Sequence, residues 1–339
     1  MDKETEWLYA LTKQLDVAGD VVGDAANDVD NDITCITITG SNMRKLRGLV
    51  LITGGFRDGR AIHFTWIFDP KTKEYKKGPK MITSRCIHTS ATLPDGNVAV
   101  FGGFDREASN CDMSHCEIVD TKKMQCRPLR DMLNQRSGAA AVVLHDGDVL
   151  IMGGKGTGNV FHANCEGYSP KYEAFYHISA KLSKPRTCHA ASLLNDGRVF
   201  VCGGSPDLRS ILHTTEIYNP SSDSFSPGPN MASRRYRHTA TTMFDGRVVV
   251  CGGDDGTVGA LSDTEIYDPI ANTFSRGPLM SVSRQGHYSC LLPDGRVMVG
   301  GGVRAIAKWT TEIYDPRTNE FTLEPDQHDT NVTSSATLF

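Results

Sequence analysis

The stretch from His238 to Pro269, HTATTMFDGRVVVCGGDDGTVGALSDTEIYDP, decides the fold. It opens on small and hydroxylated residues, turns at Asp245-Gly246, runs through an apolar VVVC into Gly252-Gly253, and ends on TEIYDP. Asp-Gly supplies the positive φ angles of a tight hairpin, so a strand lies on each side of it. A valine-rich run bounded by glycine reads as a buried strand, and TEIYD as a third. Asp268-Pro269 then turns the chain toward a fourth strand carrying Phe274. These four antiparallel strands make one blade of a propeller.

The pattern recurs along the chain. Glycine doublets stand at Gly54-Gly55, Gly102-Gly103, Gly153-Gly154, Gly203-Gly204, Gly252-Gly253 and Gly301-Gly302, at successive spacings of 48, 51, 50, 49 and 49 residues. A period near 49 belongs to propeller-type repeats. Each doublet closes an apolar run (LVLIT, VAVF, VLIM, VFVC, VVVC, VMVG), and Asp-Gly precedes five of the six. The preceding strands HTSATL, AAAVVL, HAASLL, HTATTM and HYSCLL are rich in small residues, as crowding near a central axis requires. Tyr75, Phe175, Phe225, Phe274 and Phe321 mark fourth strands. Residues 48–339 number 292, or 48.7 per blade for six blades. The C-terminal TSSATLF, Thr333 to Phe339, copies a first strand and is expected to pair with the N-terminal blade and close the ring. CITITG at Cys35 to Gly40 is a rival for that place. The expected fold is all-β, a six-bladed propeller with four antiparallel strands per blade.

The glycine doublet, the Tyr-Asp-Pro turn and the later aromatic resemble the Kelch-repeat family over about 290 residues. The fourth-strand tryptophan usual in that family is Tyr or Phe here, and the second blade has Cys126 nearby. In the substrate-receptor propellers of BTB–Kelch adaptors, arginines ahead of the first strand bind acidic peptides. Arg85, Arg136, Arg235 and Arg284 stand in the same local pattern, four residues after a methionine. The resemblance therefore implies a noncatalytic protein-binding module.

Strand direction puts the loops after each doublet on the same face as the segments that lead into each first strand. An arginine recurs in those segments at Arg85, Arg136, Arg186, Arg235 and Arg284, with Thr330 in the sixth place. Five guanidiniums around one mouth suit carboxylates or phosphates. Lys155, Arg209, Arg304 and Arg57 in the doublet loops add to the set. The competing reading is structural. Glu117, Glu166, Glu216, Glu265 and Glu312 recur on the third strand and could pair with these arginines. His88, His189, His238 and His287 follow three residues after the arginine; pseudo-symmetric positions lie too far apart to share one metal ion. Cys111, His115, Cys116 and Cys126 fit no common zinc spacing. No metal and no cofactor are expected.

Other signals narrow the class. The net charge of −4 gives no strong attraction to nucleic acid or anionic membrane, and no apolar run is long enough to span a bilayer. The N-terminus carries charge where a signal peptide needs an apolar core. Cys202 and Cys251 occupy positions filled by apolar residues in sister repeats, as buried reduced thiols do, so a cytoplasmic setting is expected. GGKGTG at Gly153 to Gly158 lacks the Ser or Thr and the helix of a phosphate loop, and no GxSxG elbow occurs. Residues 1–40 hold nine acidic and two basic residues, against a net +3 for the rest. Within them, Trp7, Leu8, Leu11 and Leu15 fit one face of a short helix, and GDVVGDAANDVDND reads as linker. DVDND lacks the glycine and glutamate of a calcium loop. The division is residues 1–47, an acidic extension, and 48–339, the propeller. The functional expectation is a protein-interaction module whose arginine-lined face takes an acidic segment of a partner. Two alternatives stand beside it: a structural subunit of a cytoskeletal or viral assembly, binding through blade edges and the N-terminal helix, and a sugar mutarotase or oxidase using the central pocket.

Overall fold

The computed structural model describes residues 49–57, 60–105, 112–302 and 310–324. Those residues form strands and turns without a helix. Blade 2 consists of Thr89–Thr92, Val98–Phe101, Cys116–Asp120 and Gln125–Leu129, paired in that order and all antiparallel. Blade 3 runs from Ala140–Val143 to Ala174–Lys181, blade 4 from Ala190–Leu193 to Ser224–Pro227, blade 5 from Thr239–Thr242 to Thr273–Arg276, and blade 6 from Tyr288–Leu291 to Glu320–Leu323. Blade 1 shows Val50–Thr53, Thr65–Asp69 and Glu74–Lys77. The expected closing strand and its rival at Cys35 to Gly40 both lie outside the described residues.

Ring closure is visible in the core. Each pair of consecutive blades shares a buried apolar cluster, for example Phe101 and Ile118 of blade 2 with Val149, Ile151 and Tyr168 of blade 3. Blade 6 joins blade 1 in the same way, through Tyr288, Met298 and Ile313 against Val50, Ile52, Trp66 and Phe68. The third-strand tyrosine and fourth-strand phenylalanine meet across each of blades 4 to 6, with ring centroids 4.9 to 5.3 Å apart.

The five Asp-Gly turns are one residue longer than a two-residue hairpin. Leu93 and Asn97 close the loop, only Gly96 takes positive φ, and Asp95 accepts the Asn97 N–H through its carboxylate at 2.9 Å. Glycine supplies the left-handed residue while aspartate caps the turn, so each contributes a different part of the bend.

The doublets have a second role. Gly203 sits at φ +62°, and a Cβ there would lie 2.3 Å from the Arg235 carbonyl of the next blade's lead-in segment. Gly203→Ala should therefore cost about 2 kcal/mol, combining left-handed strain with a clash against backbone. Equilibrium urea unfolding checks this; a loss under about 0.5 kcal/mol would show that the blade junction yields.

Candidate functional site

The recurring arginines are interior groups. Arg85, Arg186 and Arg235 are 0% exposed and Arg136 and Arg284 1%. Each donates to the glutamate of its own blade, over 2.8 Å to Glu117, 2.6 Å to Glu166, 2.9 Å to Glu216, 2.8 Å to Glu265 and 3.1 Å to Glu312. At blade 4, Arg186 Nε and Nη2 both reach Glu216, and Nη1 donates to the carbonyls of Gly203 and Thr214. The other carboxylate oxygen accepts the Ser183 N–H at 2.8 Å. The Arg186 carbonyl, meanwhile, accepts from Gly154 of blade 3. One residue thus ties the lead-in segment, its own blade and the preceding blade together. Blade 1 has Trp66 in the glutamate's place, and the repeat pattern of the sequence puts Thr330, outside the described residues, in the arginine's, so the sequence lacks both partners of the sixth pair.

This corrects the expectation of an arginine-lined open face. A guanidinium buried with its carboxylate gives up hydration that the carboxylate and the nearby carbonyls replace, which leaves it unavailable to a ligand in solution. Lys155 is also buried, bound to Asp112 at 2.9 Å, and Asp112 accepts from Ser137 as well. Arg209 is exposed on its loop. Arg304 and the side chain of Arg57 lie outside the described residues.

The four histidines are buried beside these staples. His88 Nε2 lies 2.8 Å from Thr53 Oγ1, and His287 Nε2 lies 3.0 Å from Thr239 Oγ1. Burial, reinforced by the neighbouring arginine, pushes His88, His189 and His287 down to about 3 and His238 well below its usual value. They are neutral packing groups. Burial likewise pushes the Cys116, Cys165, Cys202, Cys251 and Cys290 thiols up to about 12, which suits the reading of Cys202 and Cys251 as packed, reduced residues. Among the described residues no group of three His, Cys, Asp or Glu is placed to hold a metal ion.

Toward the axis, a backbone collar narrows the mouth. The N–H of Gly138 donates to Ile87, Cys188 to Gly138, Arg237 to Cys188 and Gly286 to Arg237. All five residues hold positive φ. A small recess beside the collar is lined by Ile87, Phe104, Ser137, Lys155, Thr187, Cys188 and Leu208. Its one ammonium is already neutralised by Asp112.

The mouth also exposes apolar side chains. Phe64 is 46% exposed, Ile82 59%, Leu133 44% and Leu279 55%, with Val160 and Val258 on the doublet loops. Ile82 and Leu133 stand three residues before the arginine, where the sister repeats have Ser183, Ala232 and Ser281. That departure from the repeat was the available signal, and a reading drawn to charge passed over it. The Met81 N–H donates to His63, placing Ile82 beside Phe64. Ile82 also donates to Glu117, while Met132 donates to Ser114 in the same stretch of blade 2. Phe64, Ile82 and Leu133 therefore follow one rim.

The Kelch motif family matches residues 186–232 and 234–281, the fourth and fifth lead-in segments with most of their blades. The chain is 29% identical over 151 residues to Kelch repeat-containing protein kel-10 of Caenorhabditis elegans, covering 43% of this chain and 25% of that protein. It is 30% identical over 151 residues to Kelch repeat and BTB domain-containing protein F47D12.7 of the same organism, with the same coverage. Against human Kelch-like protein 23 the identity is 27% over 190 residues, 55% of this chain and 32% of the relative. The matched region is thus a quarter to a third of each relative. The doublet in all six blades, and the third-strand tyrosine with its following aromatic in blades 3 to 6, join these matches in supporting a Kelch-repeat β-propeller.

Proposed function

We propose that this propeller is a noncatalytic module that binds a protein partner on the face carrying the doublet loops. Kelch-repeat relatives favour protein–protein interaction as the coarse function. The observation that carries the finer reading is the set of exposed apolar side chains on that face, Phe64, Ile82 and Leu133 foremost. Exposed aromatic and aliphatic groups rimmed by charge are the usual anchors of a protein interface. Lys80 and Arg130 are exposed beside them and would favour an acidic segment in the partner. The arginine ring supports the reading indirectly, by holding the lead-in segments in place.

Ile82→Asp/Leu133→Asp should leave the melting temperature within about 2 °C of wild type, since both side chains already face water, and should reduce recovery of a specific partner at least tenfold. A folded variant that recovers the same partners in the same amounts would remove this face from the account. The interaction would then have to run through the outer strand edges, as the assembly-subunit reading holds.

A further inference from the structure

The apolar rim has a complement within the chain. We propose that the acidic N-terminal segment docks in cis on the Phe64–Ile82–Leu133 rim and covers the partner site, a proposal that rests on the function assigned to that face. On helical spacing Trp7, Leu8, Leu11 and Leu15 share one stripe, and Glu4 falls one turn before Leu8 on the same stripe. A stripe of that kind cannot stay stably helical in water at this length without an apolar surface to pack on. The rim offers one: three apolar side chains between 44% and 59% exposed, running from blade 1 to the lead-in segment of blade 3.

Charge agrees with the assignment. Residues 1–40 carry a net −7 and the remainder +3. Lys80 and Arg130, both exposed, flank Ile82 and Leu133, and the exposed Asp131 between Arg130 and Leu133 is engaged by Ser114 and His115. Reach is not a constraint. The segment rejoins the fold at blade 1, and residues 16–48 span up to about 110 Å when extended. Tethering raises the local concentration of the segment to the order of millimolar, so weak intrinsic affinity suffices. A partner in solution must compete with that concentration, so the segment would raise its apparent dissociation constant while docked.

Trp7 reports on docking in the full-length chain. The difference in acrylamide quenching between wild type and Trp7→Phe isolates its contribution from those of Trp66 and Trp309. The docked Trp7 should be quenched several-fold less than the same residue in a synthetic peptide of residues 1–20. Ile82→Asp/Leu133→Asp should bring it to the peptide's value, and so should Leu8→Asp/Leu11→Asp. The latter variant should also raise partner recovery at least threefold. A Trp7 as exposed in wild type as in the peptide overturns the proposal, as does protection that survives the rim substitutions. Protection lost on dilution assigns the segment to a second copy and overturns docking in cis. The two readings fail separately. Exposed Trp7 with partner loss on rim substitution leaves the binding face standing, and protected Trp7 with partners unaffected by the rim removes the binding face alone.

Discussion

Glu216→Ala should cost about 3–5 kcal/mol of folding free energy, because it strands the Arg186 guanidinium in the interior without its counter-charge. The carboxylate also accepts the Ser183 N–H, so the truncation orphans a backbone donor as well as a cation. Glu216→Gln keeps an acceptor at the site and should lose less, while Arg186→Lys should fail to rescue, since an ammonium cannot reach Glu216 and the carbonyls of Gly203 and Thr214 together. Alanine at both positions should cost less than the sum of the single changes, with a coupling of about 1–3 kcal/mol. Urea unfolding of the four proteins at one pH provides the numbers. A loss below about 1 kcal/mol for Glu216→Ala would mean that water reaches the pair and that these arginines are open enough to bind ligands after all. Because the same staple recurs in blades 2 to 6, the cost should be at least as large for Glu166 and Glu312, whose side chains are fully buried.

The staples also show where sequence reasoning stops. Six blades were legible because period, doublet and turn chemistry are local signals that repeat. The partnership of Arg186 with Glu216 was visible as a coincidence of two repeated residues, yet thirty positions and a loop of changing length separate them. Only packing decides whether such an arginine turns inward or faces the mouth. The missing pair in blade 1 was the clue in the sequence: Trp66 and Thr330 depart together, as partners do and independent ligand contacts need not. Turn detail escaped for a different reason. Asp95-Gly96 is compatible with two hairpin lengths, and the register of Thr92 against Val98 selects the longer. The apolar rim escaped because Ile82 and Leu133 are unremarkable as single residues; their meaning comes from standing at the same repeat position on neighbouring junctions.

Acid should destabilise this propeller strongly as the pH falls from 7 to 5. His88, His189, His238 and His287 are buried within 6% exposure, each with its ring against the first glycine of the preceding blade's doublet. Desolvation holds them neutral, and Arg85, Arg186, Arg235 and Arg284 beside them oppose a second positive charge. In the unfolded chain the same rings titrate near 6.5, whereas in the fold three of them titrate at about 3 and His238 well below its usual value. Below pH 6.5 the unfolded state therefore binds protons that the folded state refuses, so stability is held above that pH and lost as it falls. Between pH 7 and 5 each ring should remove about 2 kcal/mol, and four together on the order of 8 kcal/mol, comparable to the whole stability of an ordinary domain. Asp196, Asp294 and Asp315 are lowered from 3.8 and withdraw their contribution only at more acid pH, so this window belongs to the histidines. His63 and His162 are lowered too, but they are only partly buried and add less. The measurement is the urea-unfolding free energy at half-unit steps from pH 7.5 to 5. Its slope should approach about 5 kcal/mol per pH unit near pH 5, and His238→Gln should make it shallower. A flat profile across that range would show that the rings take up protons in the folded state, which requires solvent inside the blade junctions. The staples would then be wet as well, so the pH profile and the Glu216 substitutions test the same dry interior from two directions.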